Sequence, residues 1–209
     1  MSEAQLPFFI GEHQEKSAEV LSERDNLQDS GWLLGLLNLG GIGSKKALKL
    51  VQHFSTYGNL SAASDLEIQQ VIGKNSVDFG KLSKIEASQP DDVKILTYFD
   101  PLYPAGFKDL PDAPLLLWYR GAIPTNKSLA IVGTRNPTPY GIKTAWEFAT
   151  GFVDRQWTVI SGGAYGIDSA AHKGALIAEG STVAVLAAGI DVAYPAGNAR
   201  LFAEICENG

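Results

Sequence analysis

TVISGGAYGIDSAAHKGAL, residues 158–176, decides the fold. It runs from the strand-like Thr158–Ser161 through a pair of glycines to Gly166-Ile167-Asp168, and then into an alanine-rich stretch that reads as a helix from about Ile167 to Glu179. A strand that becomes a helix across so short a glycine turn is the repeating unit of a parallel α/β sheet. The same rhythm lies on either side: strand Leu129–Gly133 with a helix at about Gly141–Arg155, and strand Thr182–Ala187 with a helix at about Ala196–Glu207. Alternating strands and helices with short connections predict a parallel, Rossmann-like α/β sheet built by right-handed crossovers. LAIVG (129–133) and TVAVLAAG (182–189) are nearly continuous apolar runs, which predicts cover on both sheet faces.

Outward from this region the pattern changes. Two strand-like runs, Val93–Phe99 and Leu115–Tyr119, flank the proline-rich segment 100–114 and read as an edge or linker element. Earlier, Trp32, Leu33, Leu36, Leu37 and Leu39 keep helical spacing; Gly40-Gly41-Ile42-Gly43-Ser44 interrupts it, and Ala47, Leu48, Val51 and Phe54 resume it. Further helical pieces are expected at Ser64–Ile72 and Asp78–Glu86, making a small all-α domain over residues 30–90 ahead of an α/β domain over 91–209. Residues 1–29 are polar, hold at most a solvated helix over 12–26, and read as a flexible leader.

Composition sets the outer bounds. The 209 residues are 45% hydrophobic and 19% charged, sufficient for packed cores. No run approaches the roughly 20 apolar residues of a spanning helix, and the acidic start lacks the order of a secretory signal, so no membrane role and a cytoplasmic location are expected. Cys206, the single cysteine, excludes an internal disulfide and a multi-cysteine metal site. The net charge of −6 weighs against broad attraction to polyanions, so an anion site must be local.

In an open parallel sheet ligands gather beyond the carboxyl ends of the strands. Three loops qualify: 133–141, 161–168 and 189–195. Exposed amides at such turns, with the positive end of a helix dipole, make a phosphate site. Ser161, Gly163 and Gly166 fall at the spacing of the dinucleotide fingerprint, but with serine in first place and Asp191 late for a ribose carboxylate, which favours phosphate over NAD; no cofactor or metal is expected. Arg135 reads either as a fork for phosphate or as a surface arginine paired with a carboxylate. Asp168 and His172 share a helix face; a cap or dipole partner and a packing residue are the stronger readings than acid–base chemistry. Tyr140, Tyr165 and Tyr194 are candidates for base stacking or for lids over a core edge. The turn at Gly41 and Gly43, followed by Lys45 and Lys46, reads as a helix-hairpin-helix or SAM-like backbone contact, or as a plain helix turn.

Together VGTRNPTPYG (132–141), SGGAYGIDSAAHKGAL (161–176) and TVAVLAAGIDVAYPAGNARLF (182–202) resemble the DNA-processing protein A family, also called DprA or Smf. YPAGFKDLPDAPLLLWYRGAI (103–123) is similar to the family segment before its first sheet strand, so the resemblance covers about 30–209. It implies a non-catalytic protein that binds single-stranded DNA, forms a homodimer at full length and loads the recombinase RecA in natural transformation and recombination. By motif position it implies a DNA or phosphate site at Gly133, Thr134, Arg135, Ser161, Gly162, Gly163, Gly166, Asp168 and His172.

Departures from the pattern are Thr134 for serine, and Tyr165 and Ala196 where basic residues are common; fewer cations imply weaker phosphate contact. The family pattern continues beyond Gly209 with more strands, so the sheet and its pocket are expected to be incomplete, with an unpaired edge. An alternative reading, a nucleotide-processing hydrolase of the lysine-decarboxylase-like group, lacks its P-G-G-x-G-T-x-x-E signature in this chain.

Overall fold

A computed structural model describes residues 25–209, and the leader and the solvated helix considered for its end lie almost wholly outside the described residues. The described residues form two compact units, 25–88 with 95–117, and 89–94 with 118–209.

The first unit holds α1 (Ser30–Asn38), α2 (Ser44–Phe54), α3 (Tyr57–Ala62) and α4 (Asp65–Ile72). The starts of α1 and α4 have local causes. The Asp29 carboxylate accepts from the Gly31 N–H at 2.9 Å ahead of α1. Before α4, Ser64 and Glu67 form a reciprocal capping box, with the Ser64 N–H 2.8 Å from the Glu67 carboxylate. Leu33, Leu36, Leu50 and Val51 are fully buried, as helical spacing requires, and so is Leu27, ahead of α1.

The expected helix at Asp78–Glu86 does not form. The segment has a single 3-10 turn, Phe79–Lys81, and then runs without helix or strand to Gln89. Asp78 accepts from the Gly80 N–H at 3.1 Å, a local turn that competes with a helix, and the Ile85 N–H donates to the Gly31 carbonyl at 3.1 Å. Gly31 and Gly35, one turn apart on α1, admit this segment: a Cβ at Gly31 would lie 2.8 Å from the Ile85 carbonyl, and one at Gly35 would strike that of Ser83. Leu82 and Ile85 thus carry helical spacing for a tertiary contact.

Residues 95–117, expected with the α/β region, pack on the helical core: Leu115 and Leu116 are buried in it, and Ile95, Tyr98 and Phe99 lie against it. This stretch contributes most of a two-stranded sheet, β1 (Lys94–Thr97) with β2 (Leu116–Tyr119), and the short α5 (Ala105–Lys108).

The second unit is the parallel sheet. Its order is β3 (Ser128–Ala130), β4 (Thr158–Ser161), β5 (Thr182–Ala184), with Leu129 opposite Val159 and Val159 opposite Thr182. The intervening helices are α6 (Pro139–Val153) and α7 (Ile167–Ile177); a 3-10 turn at Ala196–Asn198 then leads into α8 (Ala199–Asn208). Strands added in sequence in one direction by right-handed crossovers bring α6 and α7 to the same face. There Ala149, Ala171 and Ala175 bury Val159. Val132 and Val185, which alternate to the opposite face, are 69% and 45% exposed. Cover on both faces is therefore met on one face only among the described residues.

At Gly35 the helix lies directly against the backbone of Ser83. Alanine at this helical site raises helix propensity by about 1 kcal/mol, but its methyl meets backbone that cannot rotate away, and overpacking of that kind costs about 1–3 kcal/mol. Gly35→Ala is therefore expected to lower stability in urea unfolding; a gain would mean that residues 82–85 yield freely.

Candidate functional site

The three parallel strands end side by side, and each runs on into a loop. The second loop, Gly162–Gly166, is the hub. Gly166 has φ +83°, and a Cβ there would run into the Thr134 carbonyl and the Arg135 backbone, so only glycine admits both the torsion and the approach. The Ile167 N–H donates to the Thr134 carbonyl at 3.2 Å. From the first turn of α7 the buried Asp168 carboxylate accepts two long bonds, from the Gly133 N–H at 3.4 Å and the Ala164 N–H at 3.3 Å. It ties the first loop to the second and sits where the helix dipole favours negative charge. Two amides that a sequence reading offers to phosphate are thus engaged by the protein's own carboxylate.

Ser161 and His172 also face inward. The Ser161 hydroxyl donates to the Ile131 carbonyl at 2.6 Å, joining β4 to the end of β3. His172 is fully buried with Nδ1 2.7 Å from the Thr182 hydroxyl oxygen, and that hydroxyl donates to the Val159 carbonyl at 2.8 Å. Thr182 can then only accept from the imidazole, which assigns the ring proton to Nδ1. Nε2 has no hydrogen-bond partner among the described residues, and burial lowers the imidazole pKa to about 4, against a smaller upward pull from Asp168. Ser161, Asp168 and His172 belong to the scaffold of the loops.

Other candidates point out. Arg135 is exposed and takes part in none of the ion pairs among the described residues, so the surface-pair reading is not met. The Thr134 hydroxyl accepts from the Asn136 N–H at 3.2 Å, shaping the turn that presents Arg135. Gly133, Gly162 and Gly163 line the strand ends without side chains, and Gly163 takes φ +71°. Tyr140, Tyr165 and Tyr194 are all exposed. Tyr140 stands at the start of α6, where Thr138 caps the helix through the Gly141 N–H at 3.2 Å. Gly41, Gly43, Lys45 and Lys46 lie in the first unit, where the Lys46 ammonium donates to the Gly41 carbonyl at 3.1 Å and Lys45 is exposed.

Sequence reasoning missed Ser169 and Asn198. The buried Asn198 amide donates to the Gly163 carbonyl at 2.9 Å and to the Ser169 hydroxyl at 2.8 Å, and that hydroxyl donates to the Ala164 carbonyl at 2.7 Å. An asparagine just ahead of a helix reads as its N-cap, but here the side chain makes no cap bond. Its partners lie too far away in sequence to leave a local signal.

Residues 94–209 match the model of a family described as DNA recombination-mediator protein A. The chain is 39% identical over 168 residues to the putative DNA processing protein DprA of Mycobacterium tuberculosis, covering 77% of this chain and 41% of that protein. It is 30% identical over 201 residues to protein Smf of Synechocystis sp., covering 88% of this chain and 50% of the relative. Among solved structures, the X-ray structure of DprA from Streptococcus pneumoniae is similar with a TM-score of 0.65 at 28% identity, covering 85% of this chain and 65% of that one. The chain spans about two fifths to half the length of these curated relatives.

The buried imidazole sets a pH dependence. Its folded pKa of about 4 lies below the ordinary 6.5, so on acidification the unfolded chain takes up the proton first. The stability it contributes is complete above about pH 6.5 and is lost as pH falls towards about 4, by on the order of 3 kcal/mol in total. Urea unfolding across this window is expected to show a smaller loss in His172→Gln than in wild type; equal slopes would mean that His172 is protonated in the native state.

Proposed function

This chain belongs to the DNA recombination-mediator protein A family, and from that membership we propose that it binds single-stranded DNA at the strand-end loops of its parallel sheet and helps to place a RecA-type recombinase on it during DNA uptake and recombination. It acts in the cytoplasm, without catalysis, and as a homodimer at full length.

The observation that carries the reading is how the loops sort their polar groups. Ser161, Asp168 and His172 are engaged inside the scaffold, while Arg135, in the loop after β3, stands exposed and in no ion pair among the described residues. An exposed guanidinium beside glycine-lined strand ends suits a phosphodiester, and exposed tyrosine faces at Tyr140, Tyr165 and Tyr194 suit unstacked bases. Base stacking tolerates any sequence, so this is a surface for single strands in general. Gly41, Gly43 and Lys45, with Lys46 bracing the turn, are auxiliary backbone contacts on the helical unit. With a net charge of −6 and tyrosine and alanine at positions 165 and 196, few cations face the strand, so each carries a large share of the salt dependence.

Fluorescence anisotropy of labelled oligo-dT across a salt series tests this. Wild type is expected to prefer the single strand to duplex, and Arg135→Ala to bind more weakly with a log–log salt slope shallower by about 0.7, the value of one phosphate contact on a single strand. Equal slopes for the two proteins would move the site away from β3.

A further inference from the structure

We propose that Tyr165 and Asn198 are positioning residues that latch the 3-10 turn following the third strand-end loop onto the second loop, so that the single-strand surface is assembled before DNA arrives. The proposal rests on the functional reading above and names residues that hold that surface in shape.

The latch has two points. At the first, the Tyr165 phenol oxygen accepts from the Gly197 N–H at 3.2 Å, across 32 positions of sequence. The approach is close: a Cβ at Gly197 would lie 2.5 Å from that oxygen and 3.2 Å from the ring edge, so a larger residue there would displace the phenol. At the second, the Asn198 amide donates to the Gly163 carbonyl and the Ser169 hydroxyl, and Ser169 holds the Ala164 carbonyl. Gly163, Ala164 and Tyr165 are thereby each gripped, two of them from the 3-10 turn that opens α8.

Two consequences follow from elementary geometry. A trans peptide directs its C=O and N–H oppositely, so pinning the Ala164 carbonyl towards Ser169 turns the Tyr165 N–H the other way. The latch therefore sets which amides the hub loop presents. It also removes the ordering that two free loops would undergo on binding, which is how preorganisation raises affinity. Tyr165 keeps 47% of its surface exposed, so its ring face stays open to a base while its hydroxyl is engaged. In this chain the position holds a brace where a basic side chain would supply only charge.

The test compares wild type, Tyr165→Phe and Asn198→Ala as full chains. Amide exchange by NMR without DNA reads the latch, and oligo-dT anisotropy across salt reads its effect. Faster exchange is expected at Gly197 and residues 162–166 but not in α6, with affinity lower by roughly tenfold and a salt slope equal to wild type, since neither substitution removes a charge. Pure stacking predicts that Tyr165→Phe binds like wild type, because phenylalanine stacks as well; that result overturns the proposal. Unchanged loop exchange in both variants overturns it too, as does a slope that shallows as in Arg135→Ala. Tyr165→Phe, which deletes one exposed hydroxyl, keeps the test decisive if Asn198→Ala unfolds. Failure of wild type to bind oligo-dT would overturn the functional reading and the role built on it, and exchange, which needs no DNA, separates that from failure of the latch.

Discussion

The chain must turn from β4 into α7 within Gly162–Gly166 while its backbone presses against that of Thr134 and Arg135, and the open end of the sheet is organised by this constraint. A turn that short leaves carbonyls and amides with no partner in strand or helix. Buried ones need partners from elsewhere, because an orphaned polar group costs as much as a lost hydrogen bond. Asp168 meets the need on one side of the loop, and Ser169 and Asn198 on the other. The first loop and the 3-10 turn after the third are thereby both tied to the glycine loop.

That requirement also sorts the chemistry. Once a hydroxyl, a carboxylate and an imidazole are engaged in holding strand ends together, they are poor agents for proton transfer to a ligand. Burial reinforces the point at His172, where desolvation keeps the ring neutral. What stays exposed at the strand ends includes the guanidinium of Arg135 and the rings of three tyrosines.

The helical unit follows a parallel logic. Its core obeys helical spacing, but its boundary is set by glycines on α1 that let residues 82–85 lie close, and by Leu115 and Leu116 returning from far along the chain. In both units a glycine marks the place where one stretch of backbone approaches another.

The sequence by itself determined the parallel α/β order, the three strand-end loops, the helix–turn–helix at Gly40–Ser44 and the family motifs, because strand and helix periodicity and glycine turns are properties of neighbouring residues. Only the tertiary structure decided that α6 and α7 cover one face of β3–β5, that residues 78–86 stay out of a helix, and that residues 95–117 pack on the helical core. It alone decided which polar side chains turn inward. Asp168 reaches Gly133 across 35 positions, Tyr165 reaches Gly197 across 32, and Ser161 reaches Ile131 across 30. A side chain's hydrogen-bond partner is fixed by where the fold brings distant backbone, and no local pattern records that.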